Sequence, residues 1–72
     1  MSETTARTIT AKAVRVNSGM RQQDVAGLLG LERTVYLRRE NDPKRFTQEQ
    51  LDAFCALFGV RHAGENKFTL IG

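Results

Sequence analysis

Helix-stopping signals divide this chain into short pieces. Asn17-Ser18-Gly19, Gly30, Asn41-Asp42-Pro43 and Gly59 punctuate a sequence of only 72 residues. Glycine supplies the left-handed backbone that ends a helix, and the residue before proline avoids helical angles. The pieces between them carry apolar residues at helical spacing rather than strict alternation. The expected fold is therefore one small domain, mainly α, of four to five short helices with a short terminal β-strand.

Thr10 can cap a first helix over about residues 11–18, with Ala11, Val14, Arg15 and Ser18 on one face. A second helix is expected from about Arg21 to Leu29. Val25, Leu28 and Leu29 form its apolar stripe, and Ala26 is small enough for a close helix crossing. Leu31 follows Gly30 as an apolar plug, and a third helix runs from about Glu32 to Glu40. Thr47-Gln48-Glu49-Gln50 is a capping box for a fourth helix, in which Leu51, Phe54, Cys55 and Phe58 recur at i, i+3, i+4 and i+7. Val60 to Gly64, with His62, reads as a loop. Lys67 to Ile71 alternates and is β-prone, and Thr5 to Ile9 could be a second strand. A lone strand is unstable in water, so the tail should pair with the other terminus, with its copy in a second subunit, or with both.

Composition narrows the function. One cysteine, Cys55, excludes an internal disulfide and a cysteine-based zinc site, and one histidine, His62, leaves no acid–base pair in view. The expectation is a non-enzyme with no metal and no cofactor. The N-terminus has no apolar signal centre, and no apolar run is long enough to span a membrane, so a cytoplasmic protein is expected. The five aromatics are spread too widely for a single-strand stacking platform. The net charge of +3 is concentrated: residues 33–45 hold Arg33, Arg38, Arg39, Lys44 and Arg45 against Glu40 and Asp42, and the rest of the chain balances. A patch of this kind suits phosphate and base edges, although a solvated helix face has the same composition.

The second and third helices are short and separated by little more than Gly30-Leu31. Such a tight turn sets two helices at a steep angle, as in a helix-turn-helix, and leaves the third projecting with Arg33, Arg38 and Arg39. A short arginine-rich helix fits the major groove, where arginine bonds guanine bidentately.

From about Thr10 to Val60 the sequence resembles the Cro and phage-repressor helix-turn-helix family. The resemblance is carried by Val14-Arg15, Gly19-Met20-Arg21-Gln22-Gln23-Asp24-Val25-Ala26, Leu29-Gly30-Leu31, Glu40-Asn41 and Leu51…Phe58-Gly59-Val60. It implies that Arg33, Thr34, Leu37 and Arg38 read base edges. It places Gln22, Asn41, Lys44 and Arg45 against the DNA backbone, and Arg15 with Glu40 in an internal ion pair; Arg21, Gln23 and Arg39 are expected to contact phosphates as well. Three positions depart from the family pattern: Glu32 where Ser or Thr usually caps, Tyr36 where Val or Ile plugs the core, and Arg39 where an apolar residue is usual. They imply a rotated third helix, with Val35 inward and Tyr36 exposed to touch a phosphate or a thymine methyl.

These features lead to an expected sequence-specific repressor of double-stranded DNA, resembling a small phage or mobile-element regulator. It would consist of an arm over residues 1–9, a helix-turn-helix domain over 10–60 and a dimerisation tail over 61–72. One recognition helix reads only half a site, so a homodimer on an inverted repeat is expected, with Phe68, Leu70 and Ile71 at its interface. No small-molecule effector is expected. The alternative is a protein-interaction module, antitoxin-like or an adaptor, using the same helices and the C-terminal edge strand.

Overall fold

The computed structural model describes residues 8–71. Its elements in chain order are α1 (Ala11–Asn17), α2 (Gln22–Leu28), α3 (Arg33–Asn41), a 3-10 turn (Pro43–Arg45), α4 (Gln48–Phe58), β1 (Val60–His62) and β2 (Phe68–Leu70). The fold is mainly helical, with one two-stranded antiparallel hairpin.

Local chemistry sets the helix ends. The Thr10 hydroxyl accepts from the Ala13 N–H at 3.1 Å, and Thr47 with Gln50 forms the expected capping box. The α2–α3 turn is a closed C-cap. Gly30 takes φ +72°, and the N–H of Leu31 donates to the Ala26 carbonyl at 2.8 Å. That bond satisfies a carbonyl at the end of α2 and draws Leu31 against the core.

Nine residues form the buried core: Ala11, Val14, Val25, Ala26, Tyr36, Phe46, Phe54, Val60 and Phe68. The aromatic rings form a chain through it, with centroids 6.3 Å apart for Tyr36–Phe46, 5.7 Å for Phe46–Phe54 and 5.2 Å for Phe54–Phe68. Phe54 on α4 is thus the joint between the α3 side of the molecule and the hairpin.

Four expectations are corrected by these coordinates. Tyr36, not Val35, turns inward and is fully buried, so it cannot touch a phosphate. Its hydroxyl donates to Glu40 Oε2 at 2.6 Å, which removes the penalty of burying that group. Phe68 is also fully buried within the chain, so its side chain is not available to the dimer contact expected of it. Its backbone exchanges two hydrogen bonds with Ile9, at 2.9 and 2.8 Å, so the tail does pair with the other terminus. Residues 5–7 of the possible Thr5–Ile9 strand lie outside the described residues. Val60 to His62 is a strand rather than a loop, because it pairs with β2 in the register Val60↔Leu70, Arg61↔Thr69 and His62↔Phe68. Finally, Leu28 is 60% exposed, and the small Ala26 takes the inward place on α2 beside Val25.

Candidate nucleic-acid interface

The inner face of α3 is fixed by Tyr36 and Glu40, one helical turn apart and both buried. Glu40 is 1% exposed and receives four donors. Its Oε2 accepts from Arg15 Nε at 2.7 Å and from the Tyr36 hydroxyl, while Oε1 is approached at 3.4 Å by Arg15 Nη2 and by Gln22 Nε2. Arg15 Nη1 also donates to the Met20 carbonyl at 2.9 Å. The hydrogen bond to Glu40 holds the Arg15 guanidinium above its ordinary range, against the opposing effect of burial. Burial, followed by the bond to Glu40, pushes the Tyr36 phenol well above its usual value. The network therefore keeps Arg15 charged and the Tyr36 hydroxyl neutral at neutral pH. It ties α1 and the start of α2 to the back of α3.

With that face anchored, the opposite side of α3 is left to solvent. Arg33, Thr34 and Arg38 are exposed, and Leu37 and Val35 are half-buried along the flanks. Among the described residues the ion pairs are Arg15–Glu40, Arg21–Asp24 and Arg45–Asp42, so Arg33 and Arg38 have no carboxylate partner there. The last two pairs are exposed i, i+3 contacts at 3.3 Å, weak enough to yield to a competing anion.

Two cationic concavities flank α3. One is lined by Arg15, Arg21, Gln22, Gln23 and Arg33, where the start of α2 meets the start of α3. The other is lined by Val35, Arg38, Arg39 and Arg45. Neither lining includes a carboxylate. Arg39 is half-buried, and its Nη1 donates to Gln50 Oε1 at 2.8 Å. The same oxygen accepts the Thr47 N–H at 3.1 Å, so Arg39 also braces the start of α4. Asn41, the last residue of α3, and Lys44 and Arg45 just beyond it are exposed. Glu32, also exposed, stands at the N-cap of α3 without a side-chain capping bond.

The sequence-derived residues therefore fall into groups. Arg33, Thr34 and Arg38 are exposed on α3; Arg33, in its first turn, gathers with Arg21, Gln22 and Gln23 at one concavity, and Arg38 with Arg39 and Arg45 at the other. Tyr36 leaves the set. Arg15 joins it as a wall of the first concavity, a role that its ion pair concealed. The burial of Tyr36 had a readable signal, since a tyrosine four residues before a core glutamate lies on the same helix face.

Other chemistry is thin. Among the described residues no group of three or more His, Cys, Asp or Glu could hold a metal ion, and no helix is long and apolar enough to cross a membrane. Burial pushes the Cys55 thiol upward, which disfavours the reactive thiolate.

A family model described as helix-turn-helix matches residues 12–64. No curated protein and no solved structure matches the chain. The matched segment runs from α1 through β1 and contains the Gly30 turn, α3 and both cationic concavities. By that match and this geometry, the chain belongs to the helix-turn-helix family of Cro- and phage-repressor-type DNA-binding regulators.

Proposed function

We propose that this protein is a sequence-specific transcriptional repressor that binds an inverted-repeat operator as a homodimer, with α3 in the major groove. The observation that carries the reading is the exposed side of α3. Arg33, Thr34 and Arg38 are exposed on α3 without carboxylate partners among the described residues, and Arg33 and Arg38 each line one of the two arginine-rich concavities. Arg33, Thr34, Leu37 and Arg38 are assigned to base edges. Arg21, Gln22, Gln23, Arg39, Asn41, Lys44 and Arg45 are assigned to phosphates. Four of these seven are cationic, so affinity should fall with a log–log salt slope of roughly −4 per half-site. Leu70 and Ile71, 78% and 57% exposed, remain the candidate dimer contact now that Phe68 is buried. The protein would work in the cytoplasm, on the nucleoid when bound.

Selection of duplexes from a random pool tests the proposal. An enriched inverted repeat is the expected result, and its half-site spacing should place two recognition helices about one DNA turn apart. Arg33→Ala should then relax preference at one base pair and cost about 1–3 kcal/mol. A pool with no enrichment overturns sequence-specific binding and favours the protein-interaction reading. Enrichment of an unrepeated site overturns the dimer alone.

A further inference from the structure

The Glu40 carboxylate does more than neutralise Arg15, because it also reaches Gln22. Gln22 Nε2 lies 3.4 Å from Glu40 Oε1 in a partly buried contact, and the same Gln22 side chain lines the concavity shared with Arg21, Gln23 and Arg33. An ionised carboxylate offers only acceptors, so it can meet only the NH2 end of an amide. Flipping the Gln22 amide would set two oxygens against each other and lose the contact.

We infer that Glu40 is a positioning residue for the DNA backbone: it selects which end of the Gln22 amide faces inward and leaves that nitrogen a second N–H for a phosphate oxygen. The inference rests on the proposed role of Gln22 as a phosphate contact. Arg15 and Tyr36 hold the carboxylate from behind, at 2.7 and 2.6 Å on Oε2. Gln22 is thus set by the core rather than by its exposed neighbours. A phosphate on the outer N–H would polarise the inner one and strengthen its bond to Glu40. Phosphates are common to every sequence, so Glu40 should govern affinity for all duplexes alike and leave base preference untouched.

Two measurements on the full chain test this. In the free protein, labelled with nitrogen-15, Glu40→Gln should shift the Gln22 side-chain NH2 signals while the backbone spectrum stays that of a folded chain. In DNA binding, Gln22→Ala and Glu40→Gln should each weaken affinity by about tenfold, the scale of one hydrogen bond to a charged group. The double variant should be no weaker than either single one, because the second change acts through the first. The order of preference among duplexes should not change. Gln22 signals indifferent to residue 40, or losses that multiply in the double variant, overturn the inference. Should Glu40→Gln not fold, Tyr36→Phe keeps the ring and removes one donor from the carboxylate. Its smaller loss of about twofold to threefold should likewise vanish on the Gln22→Ala background, and persistence there overturns the inference. If no form binds any duplex, the DNA reading of the site falls, and the free-protein spectrum still decides whether Glu40 sets Gln22.

Discussion

Truncating Glu40 to alanine, which leaves Arg15 and Tyr36 no acceptor at that position, should nearly unfold this protein. In Glu40→Ala the Arg15 guanidinium, whose side chain is only about 10% exposed, would keep its bond to the Met20 carbonyl and lose its two bonds to Glu40. The buried Tyr36 hydroxyl would lose its acceptor as well. Breaking a buried pair by removing one partner costs about 3–5 kcal/mol, and the orphaned hydroxyl argues for the upper part of that range. A chain of 72 residues has a total stability of only about 4–11 kcal/mol. Urea denaturation followed by circular dichroism measures the loss. With a slope of about 1 kcal/mol per molar, the midpoint should fall by about 3 M or more, and a weakly stable chain would be unfolded without urea. Replacing both partners, as in Arg15→Met with Glu40→Leu, should recover most of the stability, because no charge is then buried alone. A loss below about 1 kcal/mol in Glu40→Ala, or a double variant no better than the single one, would refute the reasoning.

Other variants probe the fold and one cap. Gly27 lies inside α2, and a Cβ built on it meets nothing within 4 Å, so Gly27→Ala should stabilise the protein by about 0.5–1 kcal/mol in the same urea assay. Destabilisation would mean that a neighbour packs on that site. Phe68→Asp should unfold the chain rather than release folded monomers, since it places a charge in the aromatic core. Circular dichroism with sedimentation decides, and a folded monomer would refute the burial of Phe68. Asp24 is held below its usual carboxyl range, first by the Arg21 backbone N–H and then by the Arg21 side chain. A depressed folded-state pKa contributes stability above the unfolded value, and that contribution disappears as pH falls through the folded one. The start of α2 should therefore stay intact through pH 3.8 and fray only below it. An NMR titration of the Asp24 carboxyl with its midpoint at or above 3.8 would rule out this cap.

Much of this fold could be read from residue order because its signals are local. Thr10, Thr47 with Gln50, and Gly30 fix helix ends through bonds within a few residues, and the expected ends differ from the observed ones by one residue at most. The exposure of Arg33, Thr34 and Arg38 is also as expected, although the inner face of α3 is not, since Tyr36 rather than Val35 turns inward. What escaped depends on distant partners. The departures from the family pattern at Glu32, Tyr36 and Arg39 imply a rotated helix with Tyr36 outward, whereas the Tyr36 hydroxyl finds its acceptor in buried Glu40 and no rotation is needed. Phe68 looked like an interface residue because nothing local tells that its strand finds both Val60–His62 and Ile9. Leu28 is expected on the apolar stripe and is exposed, whereas Ala26 is buried as its small size suggests. The Gln22–Glu40 contact joins positions 18 apart and leaves no periodic trace.

The division of labour along α3 bears on how such a regulator changes its target. Tyr36 and Glu40 are committed to the interior, whereas Arg33, Thr34 and Arg38 make no hydrogen bond to another side chain among the described residues. Swapping those three therefore leaves the folding free energy nearly unchanged. If these residues read bases as proposed, a lineage could drift from one operator to another by point substitution without passing through an unstable intermediate, and an engineer could randomise the same three codons on an intact scaffold.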